Sequence, residues 1–336
     1  MSDPRNDSDS IHRAAAGIKA GTGLSAMVPR QSMTEIVLNC AGFFVGLLIM
    51  TADYAVPGPW RNRQSWQFLE TPEAMVWILF VAGEFGFWFS IVEPLWRWRS
   101  QLRLDYGLRL TSEIGIKLAV ATLFFALPIF FLVRIVPDSN IAHHDLKMML
   151  VNLVAIIVTL IGVFGIWYVR EALEVTFAGK GPEGRSVRSP QEGIKILIDL
   201  RAYLQRFITV LGAMVALATL AKGALRQAFL ATGGNPSIFP VDYVLLQGAY
   251  FTGLLALLYI PTYTILAAIG AELVDSAYPI TESDPDLEHL SRWQANRKSL
   301  EELLKLRSGA LHNLRASVSI LAPAASSVIA VLLGTK

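Results

Sequence analysis

Charge is scarce in this chain. Of its 336 residues only 17% are charged, while 53% are hydrophobic. A soluble globular domain carries about 25% charged and roughly 45–50% apolar residues. The shortfall is concentrated. Met148–Val169, Tyr243–Ala271 and Ala316–Thr335 hold no charged residue at all, runs of 22, 29 and 20 residues. A helix crossing a hydrocarbon core of ~30 Å needs about 20 residues. Uncharged runs of this length exclude the short periodic pattern of a soluble core and point to membrane spans.

Other absences narrow the function. Cys40 is the single cysteine, which excludes an intramolecular disulfide and a cysteine metal cluster. The net charge is only +2, so a concentrated basic face for nucleic acid is not expected. There is no HExxH, no GxSxG and no paired-aspartate motif, so neither common hydrolytic nor metal-enzyme chemistry is indicated, and no metal or cofactor is expected. The first residues are polar, small and Gly/Ala-rich without an apolar segment, so no cleaved signal peptide is expected and residues 1–34 read as a flexible cytoplasmic tail.

What is present is an all-α pattern, a polytopic transmembrane helix bundle of six spans and a C-terminal apolar helix. The spans lie near residues 35–53, 74–96, 114–136, 148–168, 207–224 and 243–270, and together make a membrane domain over 35–270. Lys and Arg counted from the N-terminal tail through successive loops to the segment 271–315 run 4, 2, 5, 2, 7, 2, 6. The alternation at every crossing follows the positive-inside rule and places the N-terminus, the second and fourth loops and 271–315 in the cytoplasm of a plasma membrane. Trp60, Trp66, Trp77, Trp96, Trp98 and Trp167 fall near span ends, where amphipathic rings favour the interface. Trp88 lies deeper.

The loop 170–206 reads as cytoplasmic and largely helical, interrupted by the flexible stretch Gly179–Pro190. Gly179–Ser186 has the spacing of a phosphate-binding loop, but it carries Arg185 in place of Lys and follows a helix, so it reads as a linker. In the cytoplasmic segment 271–315, Asp284-Pro285 and the capping-box pattern Ser299–Glu302 each suggest a helix start. Leu300, Leu303, Leu304 and Leu311 give that segment an apolar face. The last run, 316–334, carries Ser319, Ala322, Ser326 and Ala330 at helical spacing, a close-packing pattern in lipid. It reads as a seventh span, a half-inserted helix or an oligomer contact.

Glu84, in the middle of the second span, is the leading candidate for chemistry. A carboxylate at that depth costs several kcal/mol unless it is paired or neutralised. It is either a proton- or cation-binding group in a transport path or a structural hydrogen-bonding group. Glu93 lies nine residues on, about 180° around the helix, so the two acids do not pair. Ala82, Gly86 and Ser90 form a small-residue strip on another face. Lys117, Arg134 and Lys222 all read as lying near span ends, which leaves Glu84 without an intramembrane cation. The neutral polar groups at depth are Asn39, Asn152, Gln247, Tyr250, Thr252, Tyr259 and Tyr263. Pro261 is expected to kink the sixth span. The pair His143-His144 reads as a solvated loop rather than a metal site, since no spaced third ligand is in view.

These features favour a non-enzymatic channel, pore or membrane effector/sensor whose helical segment 271–315 serves assembly or a cytoplasmic protein partner, and whose small-residue helix suits a homo-oligomer. The alternative is a small oligomeric secondary transporter with Glu84 as its coupling group, which requires polar groups converging at mid-membrane. A membrane-embedded enzyme is the third reading.

Overall fold

The computed structural model describes residues 33–55, 68–108, 115–116, 119–120, 123–124, 144–177, 189–279, 287–304 and 314–332. Among these, all regular structure is helical. The elements are α1 (Met33–Ala55), α2 (Pro72–Asp105), α3 (His144–Phe177), α4 (Pro190–Ala231), α5 (Val241–Ala277), α6 (Leu287–Leu303) and α7 (Leu314–Leu332). The first five are long and apolar enough to cross a membrane. They also expose large apolar side chains, such as Leu48, Leu246 and Leu257 at 69, 64 and 71%. A soluble monomer rarely leaves so much contiguous apolar surface uncovered. This is the architecture of a multi-pass membrane protein.

Local chemistry sets the helix ends. Thr71 accepts a hydrogen bond from the Ala74 amide at 3.2 Å, with Pro72 at the first helical position of α2. Ser189 and Pro190 repeat that start for α4, Ser189 accepting from the Glu192 amide at 3.3 Å. Both pairs satisfy a free amide and preset φ at the helix entrance. The C-termini close on glycine. Gly107 and Gly233 take φ of 62° and 82°. The next amides, of Leu108 and Gly234, donate back to Arg103 and Phe229 carbonyls at 3.0 Å each. That is the hydrogen-bonding pattern of a left-handed glycine stop.

These caps make several helices longer than the sequence runs suggested. α4 is one continuous helix of 42 residues, where an amphipathic segment followed by a span over 207–224 was expected. α2 and α3 have 34 residues each. The capping-box residue Ser299 lies inside α6 and starts nothing. α5 runs unbroken through Pro261. The expected third span, the N-terminal tail, Trp60, Trp66, His143, the linker over 179–188, Asp284-Pro285 and Leu311 lie, apart from the short pieces between 115 and 124, outside the described residues.

Side-chain contacts fix the directions. On α1, a Cβ at Gly42 would meet the Phe85 carbonyl at 2.5 Å, and one at Gly46 would meet the Ala82 Cα at 2.9 Å. A Cβ at Gly86 would meet the Asn39 carbonyl at 2.9 Å. Here the strip Ala82–Gly86 allows antiparallel helices to approach closely, as its spacing implied. Trp77 stacks near His144 at 5.8 Å, and Arg99 sits 5.7 Å from the Phe164 ring, so α2 and α3 run parallel. Gly165 and Trp98 both meet Phe207 on α4, which runs the other way. One end of the bundle, here the upper end, therefore holds the ends of α1 and α4 and the starts of α2, α3 and α5. The chain leaves α2 at the lower end and re-enters at the upper end of α3.

α7 packs its small-residue face against its own chain. Gly212 on α4 faces the Ser319 backbone, Gly223 faces Ala330, and Gly248 on α5 faces Pro323 and Ser327. The Ala324 amide donates to the Thr252 hydroxyl at 3.2 Å. α7 thus runs parallel to α4, wedged between α4 and α5, with Ser319, Ser326 and Ala330 buried. Its small-residue face is covered within the chain, so it no longer supplies an argument for self-association. Below the bundle, α6 docks by Leu300 and Leu304, both buried, and by Arg297, which bonds Asp275 at 2.5 Å. Arg201 on α4 donates to the Leu304 carbonyl.

Candidate functional site

The upper half of the bundle encloses a cavity of about 160 Å³ between α2, α3, α4 and α5. Each helix contributes an ionisable or amide side chain to its deeper wall. Glu84 comes from α2, Asn152 from α3, Lys222 from α4 and Gln247 from α5. Helix register gives their depths. Glu84 is twelve residues after Pro72, about 18 Å along α2. Asn152 is about 12 Å along α3, Gln247 about 9 Å along α5, and Lys222 about 13 Å from the end of α4. All lie within the apolar depth of the helices.

The remaining wall is mostly apolar and aromatic. Trp77, Trp88 and Phe251 provide rings, and Thr159 a hydroxyl. Asp145, an exposed residue of the first turn of α3, also lines it, so the cavity reaches the surface at the upper end, beside buried His144. Few polar groups converging in a largely apolar concavity is the usual composition of a small-molecule site.

The polar atoms of the wall are ready for a ligand. Glu84 is 3% exposed, yet its Oε1 has no hydrogen-bond partner. The Trp88 indole Nε1, at a residue 1% exposed, and the Gln247 Oε1 likewise have none. Among the described residues, neither Glu84 nor Lys222 takes part in an ion pair, although both face the one cavity. A buried polar atom without a partner loses its hydration without compensation. With the Nδ1 of His144, which also has none, four such atoms belong to residues of the cavity wall.

The sequence candidates separate into two groups. Glu84, Asn152 and Gln247 converge on the cavity. Asn39 lies on the seam between α1 and α2. Tyr250 donates to the Phe124 carbonyl at 2.7 Å. Tyr259 and Tyr263 stack on each other at 5.4 Å, with Arg201 over Tyr263 at 5.6 Å, low in the bundle. Pro261 is exposed and away from the cavity. Glu93 is on the opposite face from Glu84, as its register implied, and holds Arg97 at 2.5 Å.

Lys222 is the correction. The sequence placed it at a span end, but α4 continues nine residues beyond it to Ala231 and carries it onto the cavity wall. The stop signal Gly233-Gly234 was the available clue. Trp88, the tryptophan that did not fit an interfacial belt, was the other.

Comparison with protein-family models, curated proteins and solved structures finds no match. The site therefore stands on its own geometry.

One prediction follows from the opening beside Asp145. In a Cys40→Ala background, Asn152→Cys should react with a membrane-impermeant thiol reagent added on the side of the upper end, whereas the native chain, whose one thiol Cys40 is exposed on the apolar outer face of α1, should not. Protection of Asn152→Cys from that side would show the cavity to be closed.

Proposed function

We propose that this chain is a non-enzymatic secondary transporter of the membrane, and that the cavity beneath Asp145 is its substrate site, with Glu84 as the proton- or cation-coupling group. The single observation that supports this reading most is the convergence of Glu84, Lys222, Asn152 and Gln247 from four helices onto one cavity. The transporter reading needed polar groups meeting at depth, and this arrangement supplies them. An ionisable group placed in apolar surroundings is by default a functional one. Glu84 has Lys222 of α4 and, towards the opening, His144 and Asp145 of α3 as the charged or titratable groups sharing its cavity. Gln247 of α5 adds a neutral acceptor.

In this reading Glu84 exchanges a proton for a cationic group, because it can hold either in a site with no other acid at its depth. Alternating access then requires the lower side to open. The packed layer below the cavity, where Phe207 meets Gly165 and Trp98, is the closed gate. The channel reading has less support, because among the described residues the buried Phe207 packs against Gly165 below the cavity.

The upper end is the outer side of a plasma membrane in this proposal, following the Lys/Arg alternation. Reporter fusions at Asn235 should report outside, and those at Gly107 and Asn296 inside; a reversed pattern would turn the cavity towards the cytoplasm. Transport itself is tested with purified chain in liposomes. Saturable solute uptake driven by an imposed pH gradient is expected. A non-saturating, voltage-driven current without coupled uptake would establish a pore instead.

A further inference from the structure

We infer that the cavity binds a small zwitterion, an α-amino acid with an aliphatic side chain, its ammonium on Glu84 and its carboxylate on Lys222. The inference rests on the transport reading of the same cavity and names its substrate class.

Size sets the first limit. An engineered cavity of about 150 Å³ admits a molecule such as benzene, so this one, of about 160 Å³, takes a ligand of roughly six to ten heavy atoms. That is the size of an amino acid, and it excludes longer peptides, hexoses and lipids.

Charge sets the second. Beneath the mouth, where Asp145 and His144 lie, one acid and one base face the same cavity and do not pair with each other. Glu84 is buried and Lys222 half-buried, and a charge withdrawn from water requires a counter-charge to offset its lost hydration. A simple organic cation would satisfy Glu84 and face the like charge of Lys222. A simple anion would satisfy Lys222 and face Glu84. A ligand carrying one charge of each sign satisfies both at once.

The neutral groups agree with this division. The unpartnered Gln247 Oε1 is an acceptor, suited to an ammonium, and the unpartnered Trp88 Nε1–H is a donor, suited to a carboxylate. The rest of the wall, with Val81, Val151 and Met214, offers apolar surface for a side chain without polar atoms.

Three probes of nearly one shape separate the alternatives: L-leucine, 3-methylbutylamine, which lacks the carboxylate, and 4-methylpentanoate, which lacks the ammonium. Binding to the purified full-length chain is measured calorimetrically, and proton flux is measured in liposomes. L-Leucine should bind about tenfold or more tightly than either analogue, because a site built for a charged group rejects the analogue lacking it. Lys222→Gln should reduce leucine to the affinity of the amine, and Lys222→Arg should restore most of it, which separates charge recognition from misfolding. Glu84→Gln should reduce leucine to the affinity of the acid. If the amine equals or exceeds leucine, the site is a cation site and the inference is overturned; parity of the acid overturns it in the other direction. If no probe binds while proton flux still depends on Glu84, the substrate class is wrong and the transport reading stands. Loss of both sinks both.

Discussion

Replacing Glu84 by Gln should abolish pH-gradient-driven uptake, lowering its rate by about a hundredfold or more, while leaving the fold as stable as before or more so. The two halves of this expectation come from different observations. Uptake falls because Gln cannot bind and release a proton, and among the described residues no other carboxylate lies at that depth on the cavity wall. Stability holds because Glu84 Oε1 has no hydrogen-bond partner to lose, and the amide removes a buried charge from apolar surroundings. Replacing an imperfectly compensated buried charge by a neutral group is often neutral or stabilising. A structural role makes the opposite forecast: thermal stability in detergent would drop and transport would fall only with it. Glu84→Asp provides a graded control. It keeps the carboxylate but withdraws it by about 1.5 Å, a displacement large enough to slow coupling without eliminating it. Uptake by Asp should therefore lie between native and Gln. Native-like uptake in Glu84→Gln would remove Glu84 from the mechanism.

The route to Glu84 shows which parts of the site the sequence carried. Its isolation in an uncharged run marked it, and helical register separated it from Glu93, which the structure places on the exposed face. The strip Ala82–Gly86 was equally legible, because small residues four apart define a face whatever packs on it, and α1 meets it at Gly42 and Gly46. Helix lengths were less so. Runs without charge mark the apolar part of a helix, but the ends of α2 and α4 are set by Thr71-Pro72, Ser189-Pro190 and the terminal glycines, well outside those runs. Lys222 shows the consequence: a charge reads as the end of a span, whereas in the folded chain a basic side chain facing a cavity that reaches the surface is compatible with a continuing helix. Nor could sequence separate Asn152 and Gln247 from Asn39 and Tyr250. All four are polar groups in apolar helices. What distinguishes them is rotation of each helix about its axis, and that is set by distant contacts such as Gly162 on Leu211 and Gly165 on Phe207. The convergence that shifts weight from channel to transporter is therefore a tertiary property.

Gly212→Val should be the most destabilising single change in the bundle, and it should act without touching the cavity. A Cβ at Gly212 would lie 2.2 Å from the Ser319 carbonyl oxygen and 2.9 Å from its carbon. These are backbone atoms of α7, so no rotamer change can relieve the overlap. The helix itself must move away from α4. It is held there on several sides, by Ala330 against Gly223, by Pro323 and Ser327 against Gly248, and by the Ala324 amide on Thr252. Displacing α7 to accommodate the side chain loosens these contacts together. Overpacking of this kind costs about 1–3 kcal/mol, a fall in melting temperature of roughly 3–10 °C. Gly212→Ala should show a smaller loss, since its single methyl already overlaps. Gly83→Ala and Gly253→Ala are the matched controls: a Cβ at either meets nothing within 4 Å, so both should melt as the native chain does. α7 contributes no residue to the cavity wall. Below its melting temperature, Gly212→Ala should consequently retain uptake, the reverse of Glu84→Gln, which retains stability and loses uptake. If α7 served instead to join separate copies through its small-residue face, Gly212 would face open space in one protomer. Gly212→Val would then change the oligomeric state and leave the protomer's melting unaltered. A large drop in melting temperature with an unchanged oligomeric state would place α7 inside the bundle of a single chain, as a wedge between α4 and α5.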